Sequence, residues 1–146
     1  MNTRPSQLPE FVPAKFGQPF WEATREKRLV LQYCPRTAHY QFFPRPLSIF
    51  TAKRDLQWRE VSGRATLYSY TLIPEGSIAT NEHPVRILAI VELMEGVRML
   101  SNIGNVAVAA LRIGMPLIPL WEPLPNGMHL LKFQPEEGSS ATAVNC

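Results

Sequence analysis

The chain has 146 residues, 45% of them hydrophobic and 18% charged, with a formal net charge of +3. That length holds one domain with its own core, or a small domain with an appendage, and excludes a large two-domain enzyme fold. Fourteen prolines, about twice ordinary usage, exclude long helices, and the slight positive balance forms no basic stripe that would argue for nucleic acid.

Two cysteines, Cys34 and Cys146, cannot build a disulfide framework and read as free thiols of a reducing compartment. Asn2 to Gln7 is polar with no apolar run behind it, so no secretory signal is expected. No apolar stretch approaches the roughly 18 residues of a membrane span. The expectation is a cytoplasmic protein without membrane association.

Residues 1–17, carrying Pro5, Pro9 and Pro13, read as an extended arm. Residues 18–28 predict a helix, because Pro19 suits a first turn and Arg25, Lys27 and Arg28 lie toward the end that attracts cations. Phe20, Trp21 and Thr24 share one face of it, directed either at the chain's own domain or at a partner. Strands are predicted at 29–34, at 39–43 up to Pro44-Arg45-Pro46, and at 56–61. Ser62-Gly63 marks a turn.

Beyond that turn, 65–73 alternates as a strand and 74–84 is a polar loop. A near-continuous apolar strand at 85–93 turns at Glu95-Gly96 into its hairpin mate, 97–103. Residues 106–112 read as a one-turn helical connector. The strand at 115–121 is interrupted by Pro116 and Pro119, which push it toward an edge or a bulge. Asn126-Gly127 is a strong hairpin signal, and 128–133 closes the set. From residue 135 onward no core residues are expected. Five strands with a short helix between the third and fourth match a five-stranded Greek-key barrel of the OB type, with an open β-sandwich as the alternative.

Two residue pairs, Cys34/Thr37 and Ser48/Thr51, have the spacing of a tetrahedral zinc ribbon, but three of the four positions carry hydroxyls. Zinc favours thiolate and imidazole, so neither metal nor any other cofactor is expected. His39, His83 and His129 have no triad partners at informative spacing, and no serine occupies a nucleophile elbow. Cys34 lacks an activating base, and the glycines are isolated turn residues rather than a phosphate loop. No catalytic residue is assigned. An OB barrel can bind single-stranded nucleic acid through aromatics in a basic groove, which would use Tyr68, Tyr70, Arg86 and Arg98. Glu75, Glu82, Glu92 and Glu95 fall in the same strands and loops and oppose that reading.

Seven short motifs in order carry a family resemblance: Phe20-Trp21-Glu22-Ala23, Leu29-Val30-Leu31-Gln32, Gln41-Phe42-Phe43-Pro44-Arg45-Pro46, Asp55-Leu56-Gln57-Trp58, Val61-Ser62-Gly63-Arg64, Tyr68-Ser69-Tyr70-Thr71 and Arg112-Ile113-Gly114-Met115-Pro116. Together, over about residues 18–133, they resemble the DUF35 family. The resemblance implies an N-terminal helix, a rubredoxin-like zinc ribbon and an OB fold associated with acyl-CoA metabolism. Its four ribbon cysteines would fall at Cys34, Thr37, Ser48 and Thr51, so the metal does not carry over.

The expected organisation is therefore mainly β: an arm at 1–17, a helix and degenerate metal-free ribbon at 18–61, an OB barrel at 62–134 and a disordered tail at 135–146. Tyr33, Tyr40, Phe42, Phe43, Phe50 and Trp58 are expected to hold the ribbon hairpins in the metal's absence. The resemblance implies a non-catalytic accessory subunit hetero-oligomerised with thiolase-like enzyme subunits. Members without ribbon ligands resemble the small subunits of three-component acetyltransferases acting on phloroglucinol-type phenols. Phe20, Trp21, Phe42, Phe43 and Trp58 are the candidate partner-docking residues. The alternative is a stand-alone OB module binding acyl-CoA or single-stranded nucleic acid.

Overall fold

The computed structural model describes residues 11–74 and 85–136. The expectations for the first ten residues, for the loop with Glu75, Glu82 and His83, and for the tail with Cys146 lie outside these.

A 3₁₀ turn, Lys15–Gly17, leads into α1, Gln18–Thr24. The helix is one turn shorter than the expected 18–28. Lys27 adopts a left-handed φ of 55°, its N–H donates to Thr24 O at 2.9 Å, and the Arg28 N–H donates to Ala23 O at 3.1 Å. That is a Schellman stop with lysine where glycine is usual. Lys27 and Arg28 therefore lie beyond the helix and do not occupy its last turn.

Three antiparallel strands follow, β1 (Leu29–Cys34), β2 (His39–Gln41) and β3 (Gln57–Val61), in the order β2-β1-β3. β2 stops two residues short of the expected 43, because the Gln41 side chain turns inward to hold the loop that follows. Five further strands close a barrel: β4 (Ala65–Pro74), β5 (Val85–Leu93), β6 (Arg98–Ile103), β7 (Pro116–Pro123) and β8 (His129–Pro135). Their order, β4-β5-β6-β8-β7, has one parallel pairing, β6 with β8 at Ile103 and Phe133. A 3₁₀ turn at Val108–Ala110 sits between the third and fourth barrel strands. The barrel is of the OB type, as the strand count and connector position imply.

Alternation fills the barrel. Ile87, Ala89, Val91 and Leu93 of β5 point inward and are buried, while the residues between them are partly exposed. Val91 and Phe133 have no exposed area. β7 pairs fully with β8 but meets β4 only at Leu117 and Pro116. Its prolines thus lie in a strand with one lightly paired edge, where few ladder bonds are needed. Beyond β8 the chain stays tied: Glu136 donates its N–H to Pro116 O and pairs with Arg64.

The helix and three-stranded sheet share one buried cluster with the barrel, through Phe20, Leu29 and Leu31. Thr24 is the polar part of this junction. Its hydroxyl donates to Trp21 O at 2.6 Å and accepts the His129 N–H at 3.1 Å, while its carbonyl meets His129 Nδ1 at 2.7 Å. Arg25 adds a bond to Asn126 O at 2.7 Å. Gly63 completes the junction at φ 77°, where an added Cβ would lie 2.4 Å from Pro119 Cγ and 3.6 Å from Leu29 Cδ2.

Gly63→Ala should therefore lower stability by about 2–4 kcal/mol, the sum of left-handed backbone strain and overpacking. Gly96→Ala, with similar φ but open space around it, should lose only about 1 kcal/mol. Urea unfolding midpoints of the two variants measure the difference.

Candidate partner-docking site

The two segments with ribbon spacing in the sequence both form turns, with one sulfur, that of Cys34, between them. Residues 34–38 and 48–52 form two matching turns, each ending in an alanine of positive φ, 57° at Ala38 and 55° at Ala52. Each alanine N–H donates 2.9 Å back to the first residue of its turn, Cys34 O or Ser48 O. The side chains offered there are one thiol and three hydroxyls. That donor set does not fit zinc, and among the described residues no group of three or more His, Cys, Asp or Glu side chains is placed to hold a metal.

A hydrogen-bonded pair of amides holds the loop instead. Gln32 and Gln41 face each other across β1 and β2, both buried. Gln41 Nε2 donates to Gln32 Oε1 at 2.9 Å. Gln32 then takes both backbone groups of Arg45, accepting its N–H at 2.8 Å and donating to its carbonyl at 2.8 Å. Gln41 takes Ile49 N–H at 2.9 Å and Leu47 O at 3.2 Å. Residues 45–49 are thereby pinned at three points. Buried amides bonded in this way contribute about 1 kcal/mol per bond, and each bond costs more than that if one partner is removed.

Below this loop, Cys34 has no exposed area. Hydrogen bonding from the Ser48 hydroxyl, and then from Thr37, brings its thiol down to about 7. Thr37 Oγ1 is buried without a well-aligned partner of its own, which leaves it a donor for the thiolate. Although His39 lies opposite Cys34 in the sheet, its Nδ1 lies 2.5 Å from Thr37 O and its ring packs on Phe50 at 5.2 Å. His129 is committed to Thr24. Among the described residues, no accessible nucleophile is paired with a base.

The aromatic residues form a continuous ladder over the outside of the loop. Ring centroids run Phe11 to Trp21 at 4.4 Å, Trp21 to Phe20 at 5.2 Å, Phe20 to Phe42 at 5.8 Å and Phe42 to Phe43 at 4.6 Å. Phe20, only 5% exposed, is the inner anchor. It holds α1 to this chain's own core and presents no surface to a partner. Trp21 and Phe42 are half-buried, while Phe43 ends the ladder at 63% exposure. Ile49 and Phe50, on the same loop, are exposed as well, so Phe43 and Phe50 pack by one face only, on Phe42 and His39 respectively. Trp58 lies apart from this ladder, half-buried in a cleft between α1 and the three-stranded sheet.

On the barrel, the arginine nearest Tyr68 is neutralised. Arg98 lies 3.9 Å over the Tyr68 ring and pairs with Glu92 at 2.8 Å. No helix among the described residues is long and apolar enough to cross a membrane.

These features define an OB-fold protein with a small three-stranded sheet packed beside its barrel. Residues 58–122 match the family described as ChsH2, C-terminal OB-fold domain. A solved structure titled "Ltp2-ChsH2(DUF35) aldolase" superposes with a TM-score of 0.73 at 26% identity, over 90% of this chain and 98% of that one. A curated protein of Thermomonospora curvata, named "Probable enoyl-CoA hydratase alpha subunit", is 31% identical over 117 residues. That match takes in 80% of this chain and 36% of the relative, so the chain spans about a third of that protein's length. The barrel thus matches a ChsH2 OB-fold family model, and the whole chain is similar in fold to a solved DUF35 chain.

Gln41→Leu leaves Leu47 O and Ile49 N–H without their partner. It should lower stability by about 2–3 kcal/mol and loosen the loop over Cys34. A thiol reagent should label wild-type Cys34 only after unfolding, but label the variant at a measurable rate in native buffer. Equal labelling rates would show that the amides do not hold the loop.

Proposed function

We propose that the chain is a non-catalytic accessory subunit of a multi-subunit acyl-CoA-processing complex, and that it docks through the aromatic face of its N-terminal half. The observation that carries this reading is Phe43, an exposed ring at the end of a ladder anchored in the core, on a loop clamped by buried amides. A large aromatic on a rigid support binds a partner with little ordering cost, which is the physical profile of an interface hot spot. The names of the similar proteins support the setting. One is called a subunit of an enoyl-CoA hydratase, and the other pairs a DUF35 chain with Ltp2 in an aldolase.

The partner we propose is a thiolase-like enzyme subunit, on the DUF35 resemblance. Within that class, C-acetylation of a phloroglucinol-type phenol is the reaction the loss of ribbon ligands suggests. In this reading the enzyme subunits supply the nucleophile and base, and the small subunit supplies a shaped surface.

The test is co-expression with the thiolase-like subunit of the same source. Phe43→Ala should weaken assembly by about 2 kcal/mol or more, roughly thirtyfold, with the circular dichroism of the isolated chain unchanged. Size-exclusion profiles across a dilution series read the affinity. Unchanged co-elution of the variant at every dilution would remove Phe43 from the interface and the reading with it.

A further inference from the structure

The closed barrel leaves much of one β4 edge open. β4 pairs with β5 along its whole length, from Ala65 to Pro74, but with β7 only at Ala65 and Thr66. Leu67 adds the last two bonds on the β7 side: its N–H donates to Met115 O at 3.0 Å, and its carbonyl accepts the Gly114 N–H at 2.7 Å. A bulge follows between Leu67 and Ser69, and from Ser69 to Pro74 the strand lies in regular register on β5. Among the described residues, no backbone bond reaches the other side of that stretch.

The open stretch is apolar on both of its faces. Tyr70 and Leu72 lie opposite Ala89 and Ile87, the buried inward-facing residues of β5, yet they are 38% and 40% exposed. Ile73, on the other face, is exposed to the same degree. No side chain from Tyr68 to Pro74 is charged. Of the β5 residues opposite Ser69–Ile73, only Arg86 is charged, and it faces Ile73 at the far end. Lysines or inward-pointing charges ordinarily keep such an edge from adding a further strand, and this stretch has none.

The stretch is also complementary to itself. Laid antiparallel on a second copy about a twofold axis at Thr71, it sets Thr71 against Thr71 and, twice, Tyr70 against Leu72. Threonine pairs and rings packed on aliphatic neighbours stabilise antiparallel ladders. Ser69 then meets Ile73, and the bulge and Pro74 bound the ladder at its two ends. No like charges meet across the axis, whereas an acidic or basic segment of another protein finds no opposite charge to pair with on this stretch. A twofold pairing uses both open edges, so association stops at two.

We propose that the chain dimerises by antiparallel pairing of the β4 edge, with Thr71 on the twofold axis. The edge shares no residue with the 42–50 loop, so the dimer does not rest on the reading under Proposed function. A ladder of one strand per copy lies at the small end of specific interfaces, below about 1,200 Å², so dimer exchanges with monomer and grows with concentration.

The experiment is disulfide trapping in the full chain carrying Cys146→Ser, which leaves buried Cys34 as the only other thiol. Thr71→Cys should give a covalent dimer under mild oxidation, because residues opposed in an antiparallel ladder lie within disulfide reach. Met94→Cys, 75% exposed at the β5–β6 turn, should stay monomeric. Ser69→Cys should join Ile73→Cys in a mixture faster than it joins itself. In sedimentation velocity the unmodified chain should shift from monomer to dimer as concentration rises. Leu72→Lys, which sets a charge against the second copy's Tyr70, should weaken the dimer tenfold or more with circular dichroism unchanged. A monomer at every concentration, or Thr71→Cys trapped no faster than Met94→Cys, would overturn the proposal. Ser69→Cys trapping itself as readily as Thr71→Cys does would overturn the Thr71 axis. Hydrogen-exchange protection of β4 that is absent at high concentration of the chain alone and gained only with an enzyme subunit would give the edge to the enzyme and overturn the dimer, leaving the docking face of the 42–50 loop to its own test.

Discussion

The amide pair Gln32–Gln41 is the constraint on which the N-terminal half of the molecule depends. A ribbon hairpin is too small to bury a core, and a metal ordinarily supplies the energy that holds its two turns together. Here two buried side chains, directly opposed across β1 and β2, bind four backbone groups of one loop. The bonds are individually modest, and they act together because each amide satisfies the other. Removing either residue strands several buried polar groups at once. The turns themselves match one another, down to their left-handed alanines, while the centre they enclose contains a thiol among hydroxyls.

What the clamp holds is a surface. The 42–50 loop carries Phe43, Ile49 and Phe50 outward and Arg45 into the cleft, and its inner side covers Cys34. The aromatic ladder ties this loop back through Phe42 and Phe20 to the core shared with the barrel. Thr24, His129 and Gly63 then fix the helix and sheet against the barrel. The rigidity of the closed barrel thus reaches the exposed aromatics through close-packed contacts and filled hydrogen bonds. Such a support suits a docking element, because little freedom remains to be lost on binding.

Much of the fold was legible in the sequence. Inward-outward alternation, the apolar run of β5 and the Asn126-Gly127 turn are local signals, and the strands and their order follow from them. The end of α1 was not legible, because Lys27 takes the left-handed position usually given to glycine. Pro116 and Pro119 read as interruptions, yet they lie within a full strand at the seam of a closed barrel. The aromatics of the proposed docking face were legible as residues but not as a surface. Phe20 looks like its neighbours in sequence and is spent on the core, while Phe43 and Phe50 face outward. The clamp was not legible at all. Two glutamines nine residues apart become a pair only when the 35–38 turn sets the register of β1 against β2.

The central claim is that the clamped 42–50 loop and its aromatic ladder form the face that meets the enzyme. Hydrogen–deuterium exchange of the full chain, alone and in the co-expressed complex, tests it most directly. The account predicts that complex formation adds protection to residues 42–50 and to α1, and leaves the outer faces of β5 and β6 unchanged. Added protection confined to β5 and β6, with the 42–50 loop exchanging as it does in the free chain, would contradict it.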